Sequence, residues 1–266
     1  MAQETPQDLF DRVGQTISGS RKALAAAHKD LTALMPQVTN APARGKINAR
    51  LWIIERALGL RDTFFSQSGQ DRYLDEHVFH GKRGGVFVEI GGYDGVSGSN
   101  CLFFELMRGW SGVLVEPSPA QFAHAQAARR CPCLQVAVAD RSGEAEFLDV
   151  QEGYTQMSGL TESYAQNLRE TVENDPRHKG ALIKVPLTTL PEILDGQGID
   201  RADFVSLDVE GGELAILSSF PFDRFDITAW CIENNQENTE IPELMMANGY
   251  RRIEAIGVDE IYVKVG

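Results

Sequence analysis

The stretch Val86-Phe87-Val88-Glu89-Ile90-Gly91-Gly92-Tyr93-Asp94-Gly95 constrains this chain more than any other. Four apolar residues out of five at its start predict a buried strand. Near-continuous apolar runs of this kind suit parallel strands covered on both faces. The strand then runs into glycines at 91, 92 and 95, which permit positive φ and close approach of a ligand. Glu89 stands at the strand's carboxyl end, the side on which open α/β sheets bind their ligands. The spacing is Glu-x-Gly-x-x-x-Gly, not the Gly-x-Gly-x-x-Gly that seats a pyrophosphate on a helix N-terminus. An acid beside the loop is a poor neighbour for a phosphate and a good one for a cationic amine.

A second apolar run, Gly112-Val-Leu-Val-Glu116, also ends in an acid. A carboxylate there can accept both hydroxyls of a ribose. An amine near Glu89 and a ribose at Glu116 together describe S-adenosylmethionine. The plain alternative for the glycines is a structural turn.

The 266 residues suffice for one large α/β domain plus an extension, and 42% apolar content allows a sizeable core. Charges of 25 Lys+Arg against 38 Asp+Glu give a net of -13. That disfavours a nucleic acid substrate, which needs positive surface. Cys131-Pro-Cys133 has no second pair to make a zinc knuckle, while Cys101 and Cys231 lie in apolar segments as expected buried thiols. This usage fits a reducing compartment, so the expected location is cytoplasmic. Neither a signal peptide nor an apolar run long enough for a membrane span is expected.

Residues 1–64 read as a separate helical extension, a cap or a homodimerisation element. One helix starts near Pro6 with Leu9, Phe10, Val13 and Ile17 as its apolar stripe; a second covers Arg21 to Met35; a third covers Ile47 to Leu60. Pro42 to Gly45 reads as the linker between the last two. The polar stretch Phe65 to Asp71 precedes a helix over Arg72 to Phe79, with Asp71 as its N-cap and Gln70 beside the ligand. Ser97 and Asn100 are candidates to bond a carboxylate or to cap the next helix. A third strand is predicted over Leu134 to Val138, placing Asp140 at its end as an adenine contact or a turn residue. Ala145 to Asp149 reads as a short edge strand. Residues 151–181 break the βα rhythm and read as an insertion that shapes a substrate pocket. Two final strands form a hairpin across Gly257 to Glu260.

The later strands also end in acids: Asp208 and Glu210 after one, Glu233 and Asn234 after another. Adjacent parallel strands bring such ends together. Asp208, Glu233 and Asn234 form an oxygen-rich set suited to Mg²⁺ or Mn²⁺, which would bind an acceptor hydroxyl and lower its pKa. The alternative is helix capping. For a general base, His178 in the insertion and Glu210 compete. His28, His77, His80 and His124 lie in or at the ends of helices away from the strand ends.

The chain resembles the FkbM-type S-adenosylmethionine-dependent methyltransferases. The resemblance rests on Ser66 to Asp71, Phe87 to Gly95, Ser99-Asn100 with Phe103-Phe-Glu105, and Gly109 to Pro117. It continues through Val136 to Asp140, Thr188 to Leu190, Ser206 to Gly211, Ile232 to Asn234 and Gly249-Tyr250, covering roughly residues 65–265. Gly92 stands where many relatives carry alanine. The resemblance implies an α/β, Rossmann-like class I methyltransferase fold. It has a seven-stranded mixed sheet and helices on both faces, over residues 65–266. It implies an O-methyltransferase acting on a saccharide, glycan or hydroxylated small molecule. The implied donor contacts are Glu89 with the glycine loop at Gly91 and Gly95, Glu116 at the ribose and Asp140 near adenine; Gln70, Ser97, Asn100 and Asp208 are further candidates by their place in the chain. A looser similarity to metal-dependent catechol-type O-methyltransferases matches Asp208 and the Glu233-Asn234 pair. The lysine that serves those enzymes as base is absent, with Gly211 in its place. An amine acceptor, a macromolecular acceptor and a non-catalytic binding module of the same fold are the alternatives. A DNA amino methylase would carry an Asn/Asp-Pro-Pro-aromatic motif where Asp208 to Gly211 stand.

Overall fold

In the computed structural model, which describes residues 5–60, 63–164 and 166–265, two helices open the chain: α1 (Pro6–Leu34) and α2 (Ala41–Ala57). Residues 1–4, on which the signal-peptide expectation in part rests, lie outside the described residues. A short helix α3 (Gln70–Tyr73) widens into a π-type turn over Leu74–Val78 and leads to β1 (Val86–Ile90). Then come β2 (Ser111–Val115), α4 (Pro119–Ala128) and β3 (Cys133–Leu134). A second group follows: β4 (Ala137–Val138), β5 (Gly143–Glu152), β6 (Gly159–Leu160), α5 (Gln166–Glu173) and β7 (Lys179–Thr188). The chain closes with α6 (Leu190–Gln197), β8 (Arg201–Leu207), α7 (Glu213–Ser219), β9 (Asp226–Glu233), α8 (Glu240–Ala247), β10 (Tyr250–Ile256) and β11 (Asp259–Lys264).

The main sheet has seven strands in the order β10-β11-β9-β8-β1-β2-β3. β3, β2, β1, β8 and β9 run parallel, and β11 is antiparallel to both of its neighbours. This is the expected seven-stranded mixed sheet. β1 is central and buried on both faces. Val88 and Ile90 join one core cluster with Val205 and Trp230, while Phe87 joins another with Phe104, Trp110 and Phe204. The near-continuous apolar run follows from that double burial. Cys101 and Cys231 are the buried thiols expected.

The predicted third strand is split. Cys133–Leu134 completes the main sheet, but Ala137–Val138 leaves it to pair with β7 in a four-stranded sheet, β4-β7-β5-β6. β5 is not a short edge strand. It has ten residues and pairs on both sides, with β6 and β7. The irregular segment after 151 is thus the β5–β7 portion of this second sheet.

The extension differs in two places. The first two expected helices are one, because nothing between Ile17 and Arg21 removes a backbone donor and a helix tolerates a lone glycine. Pro42 lies in the first turn of α2, where its missing N–H costs nothing, and Asn40 caps that helix by accepting from Ala43 N at 3.0 Å. Leu24, Ala27 and Leu31 lie half-buried on α1, whereas Leu9, Phe10, Val13 and Ile17 remain exposed. Asp71 is no N-cap. It is fully buried, accepting from Phe65 N and Ser66 Oγ, and so closes the 65–71 turn on itself. Among the described residues no helix is long and apolar enough to cross a membrane.

Candidate functional site

The carboxyl ends of β1, β2, β8 and β9 open into one cavity of about 290 Å³. Its floor is the turn after β1. Gly91 N and Gly92 N both donate to Val115 O, at 2.9 and 3.0 Å, folding the turn onto the end of β2. Gly91 has φ +79°, and a Cβ there would overlap the carbonyl oxygen of Asp208, so glycine is required. Tyr93, itself at φ +48°, donates its backbone N–H to Glu116 Oε2 at 2.9 Å. Ser118 N donates to Glu116 Oε1 at 2.8 Å. Each oxygen keeps a lone pair for a further donor. Burial pushes the Glu116 carboxyl up to about 7, against the lowering effect of these two amides.

Glu89 lines the cavity and already accepts bonds on both of its oxygens. Its Oε2 pairs with Arg129 Nη1 at 2.6 Å, and its Oε1 accepts from Ser99 Oγ at 2.7 Å and Asn100 N at 3.1 Å. Arg129 also donates to Gly95 O at 3.2 Å. The acid at the end of β1 therefore also anchors the 95–101 loop. Arg129 follows α4 in sequence, and nothing local marks it as the partner.

The opposite wall is acidic. Carboxylate oxygens of Asp208, Glu210 and Glu233 lie within 4.8 Å of one another. Glu210 has φ +62°, a strained backbone for a non-glycine residue, and such strain concentrates at functional sites. Asn235 Nδ2 donates to Glu210 Oε2 at 3.4 Å. Glu233 Oε2 is buried with no hydrogen-bond partner. Burial and mutual repulsion push Asp208 and Glu233 well above the usual carboxylate range and Glu210 up to about 8. Glu213 caps this turn by accepting from Val209 N and Gly211 N, at 2.9 and 3.2 Å. Asp259, from β11, accepts from Gln70 Nε2 at 2.7 Å, and burial pushes it up to about 6. Among the described residues no Lys, Arg or His side chain lines the cavity.

Of the residues singled out in the sequence, Gln70, Glu89, Gly91, Ser97, Asn100, Glu116, Asp208, Glu210 and Glu233 line the cavity. Ser97 is bound to Asp94 through both N and Oγ, and Asn100 Nδ2 donates to Ser206 Oγ at 3.0 Å. Gly95, Asp140, His178 and Asn234 do not line it. Gly95 packs against Ala125 and Arg129. Asp140 is exposed and paired with Arg141, because its strand has crossed to the second sheet; Val136, Ala137 and Val138 face the cavity instead. His178 packs by Gly180 in the turn before β7. Asn234 is withdrawn from the acidic set, its amide clasping Asn238 N at 2.7 Å and Asn238 O at 3.0 Å. The second sheet also reaches the site: Tyr93 Oη and Thr155 Oγ1 lie 2.5 Å apart, bringing Gln156 and Met157 over the cavity. Thr155 lies in the segment expected to shape the substrate pocket.

Distant likenesses among solved structures include an FkbM methyltransferase from Methylobacillus flagellatus KT, 11% identical over 90% of this chain, with a TM-score of 0.42. This chain spans only 58% of that protein's length. A precorrin-6y C5,15-methyltransferase from Geobacter metallireducens GS-15 is 14% identical over 77% of this chain and 92% of its own, with a TM-score of 0.41. A TehB-like SAM-dependent methyltransferase from Corynebacterium glutamicum is 12% identical over 84% and 99%, with a TM-score of 0.38. No curated protein matches in sequence. The family model of the methyltransferase FkbM domain matches residues 89–252, from the acid of β1 to the middle of β10 and through the carboxyl ends of β1, β2, β8 and β9. That span is more than half of the chain, and the chain belongs to the FkbM methyltransferase family.

Proposed function

We propose that the protein is an S-adenosylmethionine-dependent O-methyltransferase acting on a hydroxyl of a saccharide, glycan or hydroxylated small molecule. The observation that carries this reading is Glu116: a carboxylate at the end of β2, held by two backbone amides, opening on the same cavity as the glycine turn. That arrangement suits the two hydroxyls of the donor's ribose. Val136, Ala137 and Val138 offer an apolar surface for the adenine ring in place of Asp140. The acidic wall suits the positive sulfonium.

The same wall favours a hydroxyl acceptor over an amine. An amine must shed its proton before attack, and surrounding carboxylates hold an ammonium charged. A hydroxyl can instead hand its proton to a carboxylate of this wall, Glu210 when it is ionised and holds no cation. The acceptor oxygen forms the new bond to the methyl carbon, the sulfur keeps the electron pair of the broken bond, and the proton goes to the carboxylate. Positioning supplies the rest.

A divalent cation fits Asp208, Glu210 and Glu233. All are hard oxygen donors, one of their oxygens is buried without a partner, and among the described residues no basic side chain lines the cavity beside them. Glu210 takes the place expected of Asn234. An ion there would lower the pKa of an acceptor hydroxyl. Methyl transfer from radiolabelled donor to a panel of neutral saccharides, polyphenols and amines tests the acceptor class. Labelling of amines alone would overturn the hydroxyl reading.

A further inference from the structure

The N-terminal extension reaches the cavity wall through α2. This helix lies against β10 and the tip of the β10–β11 hairpin. The tip delivers Val258 and Asp259 to the cavity. Three neighbouring groups on α2 grip the hairpin. Gly45 O accepts from Gly257 N at 3.0 Å. Asn48 Nδ2 donates to Ala255 O at 2.6 Å. Arg44 makes a two-point pair with Glu254 at 2.7 and 2.6 Å, and its Nη1 also donates to Met35 O and Val38 O between the two helices. The approach at Gly45 is so close that a Cβ there would overlap the carbonyl oxygen of Gly257.

The same helix acts at a second point. Trp52 is 1% exposed and covers Gly69, where a Cβ would lie 2.8 Å from the indole ring. Gly69 holds φ +91° and immediately precedes Gln70. One helix therefore fixes both backbones whose side chains meet in the cavity wall, Gln70 Nε2 donating to Asp259 Oδ2. The Gln70 amide is locked at its other end too, its Oε1 accepting from Ser68 N at 2.9 Å. The tip is also tied to the end of β9, since Asn234 N donates to Val258 O at 3.1 Å beside Glu233.

We infer that α2 is a positioning element of the catalytic cavity: Gly45 and Trp52 set the Gln70–Asp259 contact, and through it the affinity for the methyl donor. The last clause rests on the donor reading proposed above; the grip on the hairpin does not.

The test is Gly45→Ala in the full chain, an exchange that strengthens a helix intrinsically and so does not weaken α2 itself. S-adenosylhomocysteine should bind about tenfold more weakly, and in a Gln70→Ala background the same exchange should add little, because the two act through one contact. Hydrogen exchange should speed up at the amides of 257–259. Asn48→Ala, which removes a single bond, should give the same pattern more mildly and serves if the alanine variant does not fold. Affinity unchanged in the folded variants, or losses that multiply in the double variant, would overturn the link to the donor. Unchanged exchange at the hairpin tip would overturn the grip itself. A wild-type protein that fails to bind S-adenosylhomocysteine, with exchange still faster at the tip, would count against the donor reading and leave the grip standing.

Discussion

Glu89 and Arg129 form an ion pair of 2.6 Å whose side chains are 4% and 0% exposed. Arg129 pairs at the same time with Glu105, 5% exposed. One guanidinium therefore holds β1, the loop after it and a second π-type turn over Phe104–Arg108, and Glu89 serves the fold before it serves a ligand. Arg129→Met should leave two buried carboxylates uncompensated and destabilise the protein by about 3–5 kcal/mol. Urea unfolding followed by circular dichroism measures this; a midpoint unchanged from wild type would contradict it.

Stability should fall as pH rises. Burial raises Asp259 to about 6 and Glu116 to about 7, above their values in an unfolded chain. Between those limits the folded protein holds protons that the unfolded chain has released, so the slope of stability against pH is negative. The contribution is full below about pH 4, where both states are protonated, and is lost as pH passes through about 6 and then 7. Melting temperatures of the ligand-free protein from pH 5 to pH 8 should decline. A rise over that interval would show that these carboxylates are ionised and well compensated in the fold.

The acidic wall should bind a divalent cation through Asp208, Glu210 and Glu233. Free Mn²⁺ measured by electron paramagnetic resonance should drop on adding wild-type protein. It should stay at its starting level with Glu233→Gln or Asp208→Asn. Asn234→Ala should retain binding, because that amide is engaged with Asn238. Loss of binding in Asn234→Ala with retention in Glu210→Gln would restore the set expected from sequence alone.

The strand ends were legible because burial on both faces writes a nearly unbroken apolar run, and the acids that follow such runs face the cavity. Glu116, Asp208, Glu210 and Glu233 could be found this way. Asp259 could not: it meets Gln70 across 189 residues of chain, and an acid in a hairpin turn looks like any turn residue. Arg129 has the same difficulty, since no local pattern ties it to Glu89. Asp140 was misplaced because Leu134 to Val138 reads as one strand. The change of sheet between Leu134 and Ala137 is set by the partners β2 and β7, not by local propensity. The extension's helices were legible in kind, but their junctions were not, since Gly19 continues a helix and Pro42 begins one.

The central claim is that this cavity holds a methyl donor by its ribose at Glu116. Calorimetric titration with S-adenosylhomocysteine tests it most directly, on the wild type and on Glu116→Ala. The account predicts one-to-one binding to the wild type, weakened by at least about tenfold in the variant, since hydrogen bonds to a charged group contribute roughly 1.5–3 kcal/mol. The variant should keep its circular dichroism spectrum. A folded wild-type protein that gives no binding, with or without Mg²⁺ or Mn²⁺, would contradict the account and leave a binding module built on a methyltransferase fold.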